Sequence, residues 1–434
     1  MTVSDLSTTH GPDARERVAW LGLLTLAITI LNAFAMRGVF SPVQDIVKAD
    51  LGLTDVQLGL VQGLAASIPI ALLAVPLGRI TDRGNRMRLL LALGVTWTIG
   101  TIATAFVTNF YGLFLARMLA SVGAICAVPV AISIAADLSP PGYRGRALLL
   151  LSLGNIAGAA CAFAFGGPIL GALENTLAIA NLAPWRGVHV VFAITSLVLL
   201  LPLLLMREPV RREVSSDAGL AFGAALQAIW RRRALLAPLF MGQISAVMAD
   251  TAAGIWAAPV LSRDYELQPE QFASWMGLVI LCSGLLGSIL GGVLADGGHK
   301  SGIKGGILIG AVVASVLAIP GALFPVMPDV VSFAWVLGLL LTCCTITGLV
   351  TAAAVAVLIP NEIRGVCLSL FMVVGAIIGL GLAPTLVTLF SDALGGESAL
   401  RYGLAATCAI TGVGAAIGFI AALAQARRDA FVPA

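Results

Sequence analysis

Twelve apolar stretches dominate this 434-residue chain, at 18–39, 56–78, 89–108, 110–136, 147–173, 187–206, 234–262, 272–295, 305–327, 330–359, 366–391 and 402–426. The hydrocarbon core of a bilayer is about 30 Å thick, and roughly 20 helical residues cross it. Each stretch is long enough to do so. No period-two alternation accompanies them, so a membrane barrel is excluded. Helices, which satisfy their own backbone, remain. The composition agrees: 59% of residues are hydrophobic and 11% charged, against about 25% charged in soluble domains. A soluble globule would have nowhere to put that apolar surface. The 48 glycines and 20 prolines suit membrane helices, where both are frequent.

The remaining composition narrows the function. A net charge of +3 is too balanced for a nucleic-acid partner. All seven cysteines lie inside apolar runs, and the three histidines are scattered. No disulfide framework, metal site or cofactor is expected. Residues 1–17 read as a disordered polar tail. The apolar run that follows has no cleavage pattern and reads as a first span that is retained.

The charges set an orientation. With the N-terminus in the cytoplasm, 19 of the 25 Lys and Arg residues fall on the inner side, 4 fall on the outer side, and Arg37 and Arg117 stay inside spans. Acidic residues divide almost evenly, so the bias is that of basic residues favouring inner loops. Twelve spans with both termini cytoplasmic are expected, in a multi-pass protein of the plasma or bacterial inner membrane.

The chain is also duplicated. GRITD at 78–82 and GVLAD at 292–296 end the second and eighth spans, 214 positions apart. PPGYRG at 140–145 and PNEIRG at 360–365 precede the fifth and eleventh, 220 apart, and Arg186 and Arg401 begin the sixth and twelfth, 215 apart. Two parallel six-span repeats follow, an arrangement that places substrate at the repeat interface. The domains expected are a tail (1–17), a six-helix bundle (18–206), a charged cytoplasmic linker (207–233), a second six-helix bundle (234–426) and a C-terminal tail (427–434).

These motifs carry a resemblance. GRITDRGNRMR at 78–88 resembles the loop signature GxLaDrxGrk of the major facilitator superfamily. Asn85 stands in place of a glycine, which we ascribe to the ease with which Asn adopts positive φ. LFLARMLASVGA at 113–124 resembles the span-4 motif with its arginine, Arg117. DLGLTDVQLGL at 50–60, DRGNR at 82–86 and GLAPTLVTLFSDAL at 381–394 are most similar to the spinster-like, sphingolipid-transporter branch. The resemblance implies an all-α fold of two pseudo-symmetric six-helix bundles and a transport function. It also implies acids before the span-1 arginine and within span 4. Met36 and Ala124 occupy those places, so the proton-coupling groups of the branch are missing. The superfamily's antiporter motif is matched only in part by Gly154 and the 167–172 segment.

Three charges lie in the spans: Arg37, Arg117 and Asp250. Each costs about 2.5–3.5 kcal/mol at mid-bilayer on insertion scales. Two cations against one anion favour an anionic substrate group, since the guanidinium fork grips carboxylate or phosphate bidentately. The bland alternatives are a snorkelling Arg37, a structural Arg117 joining the first and fourth spans, and an Asp250 that only compensates an arginine. Asp250 is assigned proton coupling. The expected substrate-binding set is Arg37 and Arg117 with Asn32, Gln62, Asn155, Gln243 and Trp256. Asp82, Arg83, Arg86, Arg144, Asp296 and Arg364 form the expected gating set, as pairs across the two halves near helix N-termini. The glycine pairs 59/63, 154/158, 287/291, 375/379 and 414/418 read as helix-packing faces.

The function expected is a secondary active transporter of an anionic or amphipathic small molecule or lipid, working by alternating access, proton-coupled, and monomeric among membrane lipids. A passive uniporter and a non-transporting sensor of the same fold are the alternatives. No Walker A, HExxH or GxSxG pattern supports an ATP-driven pump or an enzyme.

Overall fold

The computed structural model describes residues 12–140, 143–175, 183–211 and 222–428, and no strand occurs among them. Most of the two tails and the centre of the linker lie outside the described residues. Twelve helical stretches are long and apolar enough to cross a membrane. Large apolar side chains point outward from them. Leu72, Trp335 and Leu205 are 70%, 78% and 86% exposed, which in a molecule of this length suits contact with lipid rather than water.

The first six spans are α1 (Pro12–Gly38) with α2 (Gln44–Leu51), α3 (Asp55–Gln62) with α4 (Leu64–Arg83), α5 (Arg86–Thr104), α6 (Phe110–Leu138), α7 (Arg144–Asn175) and α8 (Pro184–Leu205). A short helix, α9 (Phe222–Arg231), precedes the second six. Those are α10 (Arg233–Arg263), α11 (Pro269–Lys300), α12 (Ile309–Gly321), α13 (Val330–Leu358), α14 (Asn361–Gly375) with α15 (Ala383–Leu394), and α16 (Leu400–Arg428).

Three spans are discontinuous. The first breaks at a 3₁₀ turn, Ser41–Val43, where Pro42 brings no N–H to donate. It resumes as α2 and stops at Gly52, whose φ of 62° needs a residue without Cβ. The expected first span, 18–39, therefore continues twelve residues further, to Leu51. The second span changes direction at Gly63, after a capping box of Thr54 and Gln57 starts α3. The eleventh passes through a π-helical segment, Ala376–Leu382, between α14 and α15.

Two seams join the halves, and both rest on bare backbone. A Cβ at Gly63 would stand 2.4 Å from the Gly381 carbonyl, and one at Gly59 3.2 Å from the Pro384 carbonyl. On the other side of the molecule, a Cβ at Gly167 would meet the Pro269 carbonyl at 2.4 Å, and one at Gly277 the Ala160 carbonyl at 2.6 Å. Of the paired glycines, nine pack against a neighbour and Gly375 faces open space. Asn85 has φ −80° and caps α5 by accepting the Arg88 N–H at 2.8 Å. Helix capping, not positive φ, explains Asn at that position.

Candidate functional site

Loops 2–3, 4–5 and 10–11 together with the 207–233 linker hold 13 of the 22 arginines and define one end of the bundle; the turn at 52–54 and the 264–268 loop mark the opposite, arginine-poor end. Between the halves lies a cavity of about 300 Å³. One wall carries Arg37, Ser41, Gln62, Arg117, Ser121 and Asn155; the facing wall carries Asp250, Thr251 and Thr345. Ile156, Phe163, Met276, Ile280, Leu337 and Leu341 supply an apolar flank. The cavity is thus cationic on one side, anionic on the other, and greasy beside both.

Arg117 is 2% exposed. Its Nη2 donates to the Arg37 carbonyl at 2.5 Å, close to where α1 ends and leaves carbonyls without helical partners. Its guanidinium stands 5.0 Å from the Phe40 ring centroid. Nε and Nη1 are buried and have no protein partner. The Arg37 side chain is half-buried, and Asp250 is exposed to the cavity although it lies midway along α10. No hydrogen bond or ion pair joins Arg37 to Asp250, which act on one another only through space.

Five of the eight residues expected to bind substrate or couple protons meet here: Arg37, Arg117, Gln62, Asn155 and Asp250. Gln62 is oriented by the Ser41 hydroxyl and the Gln44 side chain, to which its Nε2 donates at 3.2 and 2.9 Å. The other three lie elsewhere. Asn32 donates to Ser196, in a buried polar cluster with Trp97 and Thr98. Trp256 is fully buried and donates to the Pro384 carbonyl at 3.0 Å. Gln243 accepts from Thr351 at 3.0 Å, beside a separate pocket.

At the arginine-rich end, Arg86 is buried and pairs with Asp137 of α6 and with Glu208, just past the end of α8, rather than with the second half. Arg364 donates to the Ile359 and Ala356 carbonyls at the end of α13. Asp296 is exposed, and Arg144 starts α7 with its Nε buried. The backbone of Asp82 and Arg83 forms the last turn of α4, and their side chains lie outside the described residues.

Among the described residues, ion pairs that cross between halves join at the arginine-poor end, on residues that the sequence alone presents as outer-loop charge. Arg263, ending α10, grips Asp45 of α2 and Asp55 of α3 with bonds of 2.6–2.9 Å. Lys48 pairs with Asp55 at 2.8 Å and with Glu397 at 2.5 Å. Gln44 donates across the same junction to the Ile255 carbonyl. The one sequence signal was the helical spacing of Asp45 and Lys48 beside the break at Pro42.

The family profile of the Major Facilitator Superfamily matches residues 26–384. An MFS-type efflux pump of Mycolicibacterium smegmatis is 25% identical over 433 residues, covering 98% of this chain and 96% of that protein. Among solved structures, a bacterial homologue of the human lysosomal transporter Spinster, inward-facing and unoccupied, superposes with a TM-score of 0.80 at 22% identity, covering 98% of this chain and 100% of the other. The nucleoside transporter NupG gives a TM-score of 0.69 at 14% identity, covering 92% and 98%. The chain is a multi-pass membrane transporter, similar to the spinster branch, and it belongs to the major facilitator superfamily.

Proposed function

We propose that this transporter moves an amphipathic small molecule bearing a carboxylate or phosphate, by alternating access, with a proton carried on Asp250. The observation that carries the anionic group is Arg117. A guanidinium has five N–H donors, and leaving buried donors unmade costs about 1–3 kcal/mol each. An oxyanion entering beside Nε and Nη1, with Arg37 within the same cavity, removes that cost. The apolar flank of Ile156, Phe163 and Met276 takes the rest of the molecule.

The proton reading rests on Asp250 being the carboxylate on the cavity wall, with Met36 and Ala124 in place of the acids that the spinster resemblance implies. We read the conformation as inward-facing, like that of the spinster homologue, with the ion-paired, arginine-poor end as the closed outer side. Asp82 and Asp296, at corresponding helix ends, serve the exchange between states rather than substrate binding. Uptake into proteoliposomes tests the whole reading. Organic anions and lysolipids are screened with and without an imposed pH gradient. Transport of cations or neutral solutes in preference to anions overturns the substrate reading. Indifference to the gradient overturns the proton reading and leaves a facilitator.

A further inference from the structure

A second cavity, of about 180 Å³, opens behind Asp250 within the second half of the molecule. It is lined by Gln243, Ala246, Val247 and Asp250 of α10 and by Cys344 and Thr345 of α13. The four α10 positions fall at i, i+3, i+4 and i+7, on one face of the helix. Asp250 and Thr345 line both this pocket and the central cavity. One carboxylate therefore stands in the wall between two chambers.

Size and chemistry decide what the smaller chamber takes. The pocket, at about 180 Å³ against about 300 Å³ for the central cavity, has room for a small ion with several waters. Asp250 is its one charged lining residue, which favours a cation. Oxygen donors surround it. The Thr345 hydroxyl donates its hydrogen to the Leu341 carbonyl at 2.9 Å, so its lone pairs are open. Gln243 Oε1 accepts from Thr351 and keeps a second lone pair. The other titratable groups facing Asp250 are Arg37 of α1 across the central cavity, Cys344 of α13 with Cys343 beside it, and Cys408 of α16. Among the described residues no cluster of three carboxylate, thiol or imidazole ligands exists to hold a divalent metal. We propose that this side pocket is a binding site for a small hydrated monovalent cation, hydronium or sodium, held against Asp250 apart from the substrate cavity.

The inference rests on the reading of Asp250 as the coupling group, but its test needs no transport. Cys344 reports on the pocket. The full-length protein in proteoliposomes is treated with cationic methanethiosulfonate ethylammonium or neutral methyl methanethiosulfonate, and modification of Cys344 is followed by peptide mass spectrometry, with Cys344→Ser as the blank. The ratio of cationic to neutral rate removes the thiol's own pH dependence. We expect that ratio to fall about tenfold in Asp250→Asn, as loss of one nearby charge dictates, and to recover in Asp250→Glu, which separates a charge effect from misfolding. In the wild type, sodium in place of choline lowers the ratio if sodium is the ligand; acid without sodium lowers it if hydronium is. A Cys344 that neither reagent reaches, a ratio the same in Asp250→Asn, or a ratio indifferent to both sodium and pH overturns the site. Should the ratio behave as expected while transport ignores both gradients, coupling fails and the cation site stands.

Discussion

Arg117 combines two roles that are separable by substitution. One nitrogen holds the carbonyl of Arg37, a brace between the first and fourth spans, and the other two are buried and unpartnered in a residue that lines the cavity. Arg117→Gln removes the brace as well as the anion contact, so it should lower thermal stability, by about 1–3 kcal/mol, together with substrate affinity. Arg37 makes no side-chain bond to the protein, so Arg37→Gln should abolish anion binding with the melting temperature unmoved. Arg37→Lys, which keeps charge but loses the planar fork, should bind partly. Equal binding by Arg37→Gln and wild type would show that this side chain only snorkels. For Asp250→Asn we expect gradient-driven accumulation to vanish while exchange of labelled for unlabelled substrate remains measurable. Loss of exchange together with poor insertion is the signature of a merely compensating carboxylate.

At the scale of elements, the short helix α2 is the part of the molecule whose attachment is most conditional. It is severed from α1 by the turn at Ser41–Val43, and it is held across the halves by Asp45, in its first turn, to Arg263 and by Lys48, midway along it, to Glu397. Arg263 is the centre of that network, since its fork serves two carboxylates on two helices of the other half. The Lys48–Glu397 pair is half-exposed and contributes little alone. Arg263→Gln leaves Asp45 without a cation and Asp55 with Lys48 alone. Hydrogen bonds to charged groups are worth about 1.5–3 kcal/mol each, enough to move a two-state population by tenfold or more toward the form open at this end. Spin labels placed on α2 and α16 should report the longer distance as the dominant one. An unchanged distance distribution would mean that the network decorates the closed state without holding it.

This latch was not legible in the sequence, whereas the spans were, and the contrast has a physical source. A span is a local property: twenty apolar residues in a row declare it, and the arginine ledger fixes the count. Arg263 and Asp45 are 218 positions apart, and each alone reads as ordinary loop charge. The cavity residues occupy a middle ground. Arg37, Arg117 and Asp250 stood out because a charge in lipid demands a reason. Asn32 and Trp256 stood out as well, but a polar atom on an apolar helix is more often satisfied by a neighbouring helix, and Ser196 and the Pro384 carbonyl satisfy these two. The continuation of the first span beyond Pro42 was hidden because Gln44, Asp45, Lys48 and Asp50 end the apolar run.

For the whole molecule, the decisive geometry is the pair of seams on which the halves meet. If access alternates, the halves must separate at the arginine-poor end in one state and close there in the other, and the closed form requires backbone against backbone at Gly63 and Gly381. No side chain fits: even a methyl group at Gly63 would lie 2.4 Å from the Gly381 carbonyl and 3.0 Å from that of Gly59, inside any van der Waals contact. Gly63→Leu is therefore a wedge that opposes one conformation only. It should insert and fold, since the tightest clash, with residues 380–381, lies between the halves and the Gly59 carbonyl of its own half stands farther off. Its transport should stop, and thiols introduced on the cavity wall, such as Ala253→Cys, should gain reactivity from the arginine-poor side and lose it from the arginine-rich side. The same wedge at Gly277, on the seam of α11 against α7, tests whether the two seams act together. If the halves rock as rigid bodies, Gly277→Leu shifts accessibility in the same direction as Gly63→Leu. If instead only α2 moves to admit substrate, Gly63→Leu still transports, because α2 can swing on its hinge at Ser41–Val43 without the seams parting.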